Sequence, residues 1–307
     1  MTEEDSRRRH ALSACGLDPD TPMTRASSYA NETWVGGEIV LRVNVRGVGR
    51  LAREAAIARR LPPEARHPGM HTIGDDGELE WSVSPRASGI DLGRAWRTMT
   101  PAQRERATHE LAHALAAVHA TPTDGIPDDI EPPHTLPLAP LLELVDVVAD
   151  ARGHRRVLDG IRQFICDRWD AFDGSGTGLV HGDPHLENIL WDGEHVSAVV
   201  DFEWARPSWI HADLEILLAI SDDPKLFASA DHEDSVLTTD YADIPRWLRA
   251  ARPDWFAHPR LLDRLDILHA SRTLGHLTEG DSDLRWQHLE SLLDGKPSFR
   301  KSITGMG

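Results

Sequence analysis

Lysine is nearly absent from this 307-residue chain, occurring only at Lys225, Lys296 and Lys301. The first two hundred residues therefore contain no ammonium side chain, and any grip on a phosphate there falls to arginine. Cysteine is scarcer still. Cys15 and Cys166 lie far apart, which excludes a disulfide framework and a CxxC metal signature and leaves two thiols expected to be buried. A GxxxxGK[ST] loop is missing, since "GKP" at 295–297 has neither the loop nor the hydroxyl, and a P-loop site is excluded. No apolar run is long enough to cross a bilayer, and the opening "MTEEDSRRRHALSACGL" holds no secretory core. A cytoplasmic protein is expected. Positive charge is short as well: the formal net charge of -17 repels nucleic acid and anionic membrane. The Arg-rich "RRRH" at 7–10 follows "EED" and reads as a solvated helix face. Internal repeats and low-complexity tracts are lacking too.

What is present suffices for a core. Hydrophobic residues make up 40% of the chain, and its length suits one large domain or two lobes. After a short N-terminal helix, "TRASSYANETWVGGEIVLRVNV" reads as strands, with Gly36 and Gly37 turning the last two into a hairpin. "VGRLAREAAIARRL" is helical, and Glu54 falls on its otherwise apolar face beside Leu51, Ala58 and Leu61. "ELEWSVS" is a further strand, with "PRASG" as a break behind it. Helix then takes over. "TPAQRERATHELAHALAAVHA" carries Thr100 as N-cap, Pro101 at the first helical position and Gln103 to complete a capping box. Residues 121–140, rich in proline and acid, read as an irregular connection, followed by two more helices.

The stretch "LVHGDPHLENILW", residues 179–191, crowds polar groups between apolar runs. His181 and His185 are four apart, as in a helical zinc pair, but Gly182 and Pro184 rule out the helix that such a pair needs. The wider segment "GLVHGDPHLENILWDGEHVSAVVDFEWA" reads instead as a strand, a loop and two short strands that end at Asp201. Its pattern resembles the aminoglycoside phosphotransferase family, small-molecule kinases related in fold to protein kinases. The carriers are His181-Gly182-Asp183, Asn188 five residues past the aspartate, and Asp201-Phe202-Glu203. The likeness runs from about Ala26 to Leu217.

That resemblance implies an α+β, bilobal, protein-kinase-like fold. Residues 1–84 would form a small antiparallel-sheet nucleotide lobe, and residues 85–307 a larger, mainly helical lobe with the catalytic loop and acceptor site. It makes Asp183 the catalytic carboxylate that orients the attacking hydroxyl, and Asn188 and Asp201 the magnesium ligands, hard oxygens of the kind phosphoryl transfer needs. His181 braces the loop. Glu203 is open to two roles, reaching a second metal or capping the next segment of chain. Arg42 stands in "IVLRV" where kinases commonly place a lysine, with Glu54 as its natural partner, and a guanidinium fork suits phosphate oxygens. The phosphates would lie under "SSYAN", where Ser27, Ser28 and Asn31 replace a glycine-rich cradle. Ser84, in "SVSPR", falls at the hinge that meets the purine. ATP is the default donor, and GTP stays open because base choice depends on hinge geometry.

The expected activity is transfer of the nucleotide's terminal phosphate to a hydroxyl of a small molecule, an aminoglycoside or other antibiotic, with resistance as the consequence. A metabolic kinase for an amino alcohol, sugar or nucleoside is the alternative, and a nucleotide-binding pseudoenzyme a more remote one. Acids in "ISDDPK", "SADHEDS", "TTDYADIP" and "DGIPDDIEPP" either suit a cationic acceptor or merely reflect the acidity of the chain. Trp204, Trp209, Trp247 and Trp255 read as core in preference to a ligand wall.

Overall fold

The computed structural model describes residues 2–26, 31–45, 49–126, 137–174, 176–229, 233–296, 299 and 303. A small sheet opens the fold. Strands β1 (Thr24–Ala26), β2 (Glu32–Val35) and β3 (Ile39–Asn44) are followed by helix α2 (Arg50–Ala58), then β4 (Thr72–Asp75) and β5 (Glu80–Pro85). They form one antiparallel sheet in the order β1-β2-β3-β5-β4. The Gly36-Gly37 turn joins β2 to β3 as expected. β4 was not foreseen, because "TIGD" carries too little alternation to stand out.

Helix α1 (Glu3–Ala14) covers this sheet. Ala11 and Leu12 pack into a cluster with Trp34, Leu41, Val43, Trp81 and Val83. The arginines of "RRRH" are not simply solvated. Arg7 donates from Nε to Glu32 Oε1 at 3.0 Å, and Arg8 donates to the Thr21 carbonyl at 3.0 Å, so they tie α1 to the sheet edge. Glu32 is a buried carboxylate in β2, and a guanidinium is the partner it needs.

Behind β5 the chain passes to β6 (Ile90–Asp91), α3 (Leu92–Trp96) and α4 (Pro101–His119). The Thr100–Gln103 capping box forms at the head of α4. Helices α5 (Leu138–Arg152) and α6 (Arg155–Arg168) come next, so the expected irregular stretch ends by residue 137, and residues 127–136 lie outside the described ones. Short strands β7 (Gly178–Val180), β8 (Ile189–Trp191), β9 (Val196–Val199) and β10 (Arg206–Ser208) carry the motif segment. β6 pairs with β8 and β8 with β9, while β7 pairs with β10. The rest is helical: α7 (His211–Asp222), α8 (Ile244–Ala251), α9 (Leu261–Glu279) and α10 (Asp283–Leu293).

The outcome is the bilobal α+β arrangement expected, a small antiparallel sheet beside a larger helical body. Trp247 and Trp255 lie in the helical core, and Trp209 packs at a tilt against Phe172. The cysteine expectation fails. Cys15 is half-buried and Cys166 exposed, because α6 turns Leu158, Ile161, Phe164 and Ile165 inward and leaves Cys166 on its outer face. No helix among the described residues is long and apolar enough to cross a membrane.

Candidate active site

The loop after β7 is held from below by one carboxylate. The backbone N–H groups of His181 and Gly182 donate to Asp213 Oδ2 and Oδ1, each at 2.9 Å. His119 Nε2 of α4 lies 2.8 Å from the same Oδ2. Burial opposes the charge on Asp213, but His119, His181 and the Gly182 N–H more than offset it and hold the carboxyl below its usual range. Gly182 has φ 84°, and a Cβ there would stand 2.4 Å from the Trp204 carbonyl oxygen. Only glycine permits that approach of the loop to the Asp201-Phe202-Glu203 segment.

His181 is fully buried, and burial pushes its imidazole toward the neutral form despite Asp213 and Asp183. Its Nε2 donates to the Val200 carbonyl at 3.0 Å, which leaves Nδ1 to accept the Asp183 N–H at 3.3 Å. The histidine is therefore placed as a brace between the loop and the end of β9.

Asp183, Asn188 and Asp201 are brought together. Asn188 donates from Nδ2 to the Asp183 carbonyl at 3.0 Å and to Asp183 Oδ2 at 3.3 Å. Its backbone carbonyl accepts the Val200 N–H at 2.9 Å, which draws the residue before Asp201 alongside. Asp201 takes a left-handed conformation, φ 66°, and its Oδ1 accepts from Arg42 Nη2 at 2.9 Å. The other end of the fork, Nη1, donates to Glu54 Oε2 at 2.6 Å, and Glu54 Oε1 accepts the Phe202 N–H at 3.1 Å. The expected Arg42–Glu54 pair is present and reaches further than foreseen, from β3 through α2 into the segment behind β9. Burial opposes the Arg42 charge, but Glu54, Asp201 and Glu203 more than offset it.

Glu203 is 7% exposed, stands 4.0 Å from Arg42 Nη2 and leaves Oε2 without a hydrogen bond. Burial and the neighbouring Asp201 push its carboxyl up to about 7. Among the described residues, no three His, Cys, Asp or Glu side chains cluster as a metal cage. The site offers other oxygens: the Asn188 amide oxygen, left as acceptor once its nitrogen turns to Asp183, the Asp201 carboxylate and the orphaned Glu203 Oε2. Hard oxygens in that number fit magnesium completed by phosphate and water, and not zinc.

Of the remaining candidates, Asn31 is buried just ahead of β2, and Ser84 is half-buried in β5 opposite Val40 of β3. Ser27 and Ser28 lie outside the described residues. Sequence reasoning missed His185, whose Nε2 lies 3.4 Å from Asp183 Oδ2. Burial opposes its charge, yet Asp183 more than offsets this and raises the imidazole above its ordinary range. Asp213 was missed too. Its signal was a carboxylate inside "ADLEILLAI", a helix apolar nearly all round, where an acid must have a buried partner.

Comparison with known proteins agrees with this geometry. The phosphotransferase enzyme family matches residues 24–251, well over half of the chain. Among curated proteins none matches the sequence. Solved structures of the same fold include a thermostable mutant of aminoglycoside phosphotransferase APH(4)-Ia in complex with ADP and hygromycin B, at 15% identity and TM-score 0.63, covering 94% of this chain and 98% of that one. A choline/ethanolamine kinase family protein from Mesorhizobium loti is similar at 19% identity and TM-score 0.60, covering 98% and 92%. The amicoumacin kinase hAmiN, bound to AMP-PNP, Ca2+ and Ami, is similar at 14% identity and TM-score 0.63, covering 96% and 97%. The matched span holds the loop with Asp183 and Asn188, Asp201 and the Arg42 clamp, and the chain belongs to the phosphotransferase enzyme family, that of the aminoglycoside phosphotransferases.

Proposed function

We infer that the chain is a magnesium-dependent O-phosphotransferase that moves the terminal phosphate of ATP, or GTP, to a hydroxyl of a small molecule in the cytoplasm. One observation carries this: two hydrogen-bonded sets, Asp183 with Asn188 and Asp201 with Arg42 and Glu54, are drawn into one site by the Val200 N–H on the Asn188 carbonyl. In it Asp183 orients the acceptor hydroxyl and takes its proton as the oxygen attacks phosphorus. Asn188 and Asp201 would hold the metal, which would supply positive charge to offset that of the phosphates. Arg42, kept in place by Glu54, supplies a two-nitrogen fork for phosphate oxygens. Asn31 would meet the phosphates and the backbone at Ser84 the base, with residues 1–84 as the nucleotide lobe and 85–307 as the acceptor lobe. The acceptor is a hydroxylated antibiotic or metabolite. The first is favoured by likeness to structures holding hygromycin B and Ami, the second by likeness to the choline/ethanolamine kinase family protein.

Asp183→Asn tests it. The amide keeps the shape and cannot take the proton, so phosphorylation should fall on the order of 10²–10⁴-fold. Nucleotide binding, measured by calorimetry with magnesium and AMP-PNP, should be retained. Turnover within a few-fold of the unaltered protein would remove Asp183 from the assigned role.

A further inference from the structure

On the helical side of Asp183, α7, α9 and α10 bring together charges that the phosphate site does not use. Glu215 of α7, 2% exposed, accepts from Arg272 Nε at 2.9 Å and from Arg272 Nη2 at 2.7 Å, and its Oε1 lies 2.7 Å from His269 Nδ1. This clamp fixes the guanidinium and leaves its third nitrogen, Nη1, without a hydrogen bond among the described residues. Arg272 also lies over the Phe227 ring, 5.2 Å from its centroid. The Phe227 segment is fastened to the catalytic loop, since the Ser229 N–H donates to Glu187 Oε1 at 2.7 Å. The segment on which Arg272 packs is thus tied to the loop that carries Asp183. Burial opposes its charge, but Glu215 and, more distantly, Asp183 more than offset it.

A second guanidinium is carried by α10, which packs against α9. Arg285 of α10 is partly buried and, among the described residues, makes no hydrogen bond or ion pair. Burial and Arg272 weigh on its charge, with Glu279 opposing them. His276, one turn beyond Arg272 on α9, is lowered to about 4 by burial, then by Arg272 and Arg285. It adds no charge of its own at neutral pH. Of the acids that suggested a cationic acceptor, Asp240 accepts from Arg104 at 2.9 Å and Asp243 from Arg246 at 3.2 Å, and those within 127–136 lie outside the described residues. Glu233 and Asp234 are exposed.

A guanidinium held rigid by one carboxylate, whose donor edge meets no acceptor among the described residues, is built to take anionic oxygens, and it repels a polycation. Resting on the phosphotransferase reading, we propose that Arg272 and Arg285 form an acceptor subsite for an anionic oxygen group, so that the molecule phosphorylated here carries a carboxylate or phosphate beside its hydroxyl.

Magnesium-ATP turnover with glycerate, glycerol 3-phosphate, glycerol, choline and hygromycin B tests it. One of the two anions should exceed glycerol in kcat/KM by about tenfold or more, the effect of a charge-assisted hydrogen bond, and which one it is separates carboxylate from phosphate. Arg285→Gln should raise the KM for that anion about tenfold with kcat little changed, and leave the KM for glycerol alone. Arg272→Lys, which retains a cation for Glu215, should do the same. Preference for choline or hygromycin B, equal or absent turnover across the set, or an unaltered anion KM in both variants overturns the subsite. Calorimetry with magnesium and AMP-PNP keeps the two ideas apart: if the nucleotide binds, only the subsite falls, and if it does not, the phosphotransferase reading falls first.

Discussion

Asp213 and Glu215, two positions apart on α7, show how a buried acid acquires a task. Asp213 faces the catalytic loop and accepts two of its backbone N–H groups, so it sets the position of Asp183 without touching a reacting atom. Glu215 anchors Arg272 and His269. Burial pushes its carboxyl up, but Arg272 and His269 prevail and bring it down to about 2. A carboxylate with a lowered folded-state pKa adds stability that is complete above its unfolded value near 4.5 and fades as the pH falls toward about 2. Glu215→Gln should therefore destabilise the protein by about 3 kcal/mol above pH 5, with the deficit shrinking between pH 4.5 and 2. Thermal unfolding of both proteins across that range measures it. A deficit independent of pH would mean that Glu215 is not the ionised partner of Arg272. Neither acid's partner was legible in the sequence, because Asp213 bonds 32 residues back and Glu215 57 residues forward. Asp183, Asn188 and Asp201 were legible because one short run of chain carries all three.

Helix α2 illustrates the same limit at the level of an element. Its existence and its inward Glu54 can be read from apolar spacing, yet its start depends on a residue of another element. Gly49, the N-cap, has no side chain to cap with. Glu80 of β5 does it instead, accepting the Leu51 N–H at 3.0 Å and the Ala52 N–H at 2.6 Å. A carboxylate at a helix N-terminus meets both the unsatisfied N–H groups and the positive end of the dipole. Asn44 of β3 adds a donor to Glu80 at 3.2 Å, so the strand bearing Arg42 and the helix bearing Glu54 share one anchor. Glu80→Gln should lower stability by about 1–2 kcal/mol in urea unfolding. It should also raise the KM for ATP several-fold, because Glu54 would no longer be held against Arg42. Unchanged values of both would remove Glu80 from the support of the site. Short elements such as β4 and α3 escaped notice for a different reason. Four or five residues give too little periodicity to read, and α3 is set by its cap, where the Arg94 N–H donates to the Asp91 carboxylate at 2.8 Å.

Across the whole molecule, the bilobal plan could be read because strands and turn signals cluster before residue 85 and helical spacing dominates after it. How the two parts are joined could not, since the joint is made by side chains far apart in sequence. Arg42 reaches Asp201 across 159 residues, Glu54 takes the Phe202 N–H, and Arg53 Nη2 donates to the Ala205 carbonyl at 2.5 Å. The sheet lobe is thus fastened to the helical lobe at the place where the nucleotide would lie. Arg42→Met should uncouple folding from ligand binding. Leaving the buried Glu54 without its cation should cost about 3–5 kcal/mol. A saturating magnesium nucleotide should stabilise the unaltered protein by about 2.7 kcal/mol at a hundred times its Kd. Differential scanning calorimetry with magnesium and AMP-PNP reads both effects: the unaltered protein should melt higher with ligand, whereas the variant should melt lower and gain little. An equal ligand-induced rise in both would show that the clamp binds the lobes together and does not take part in holding phosphate.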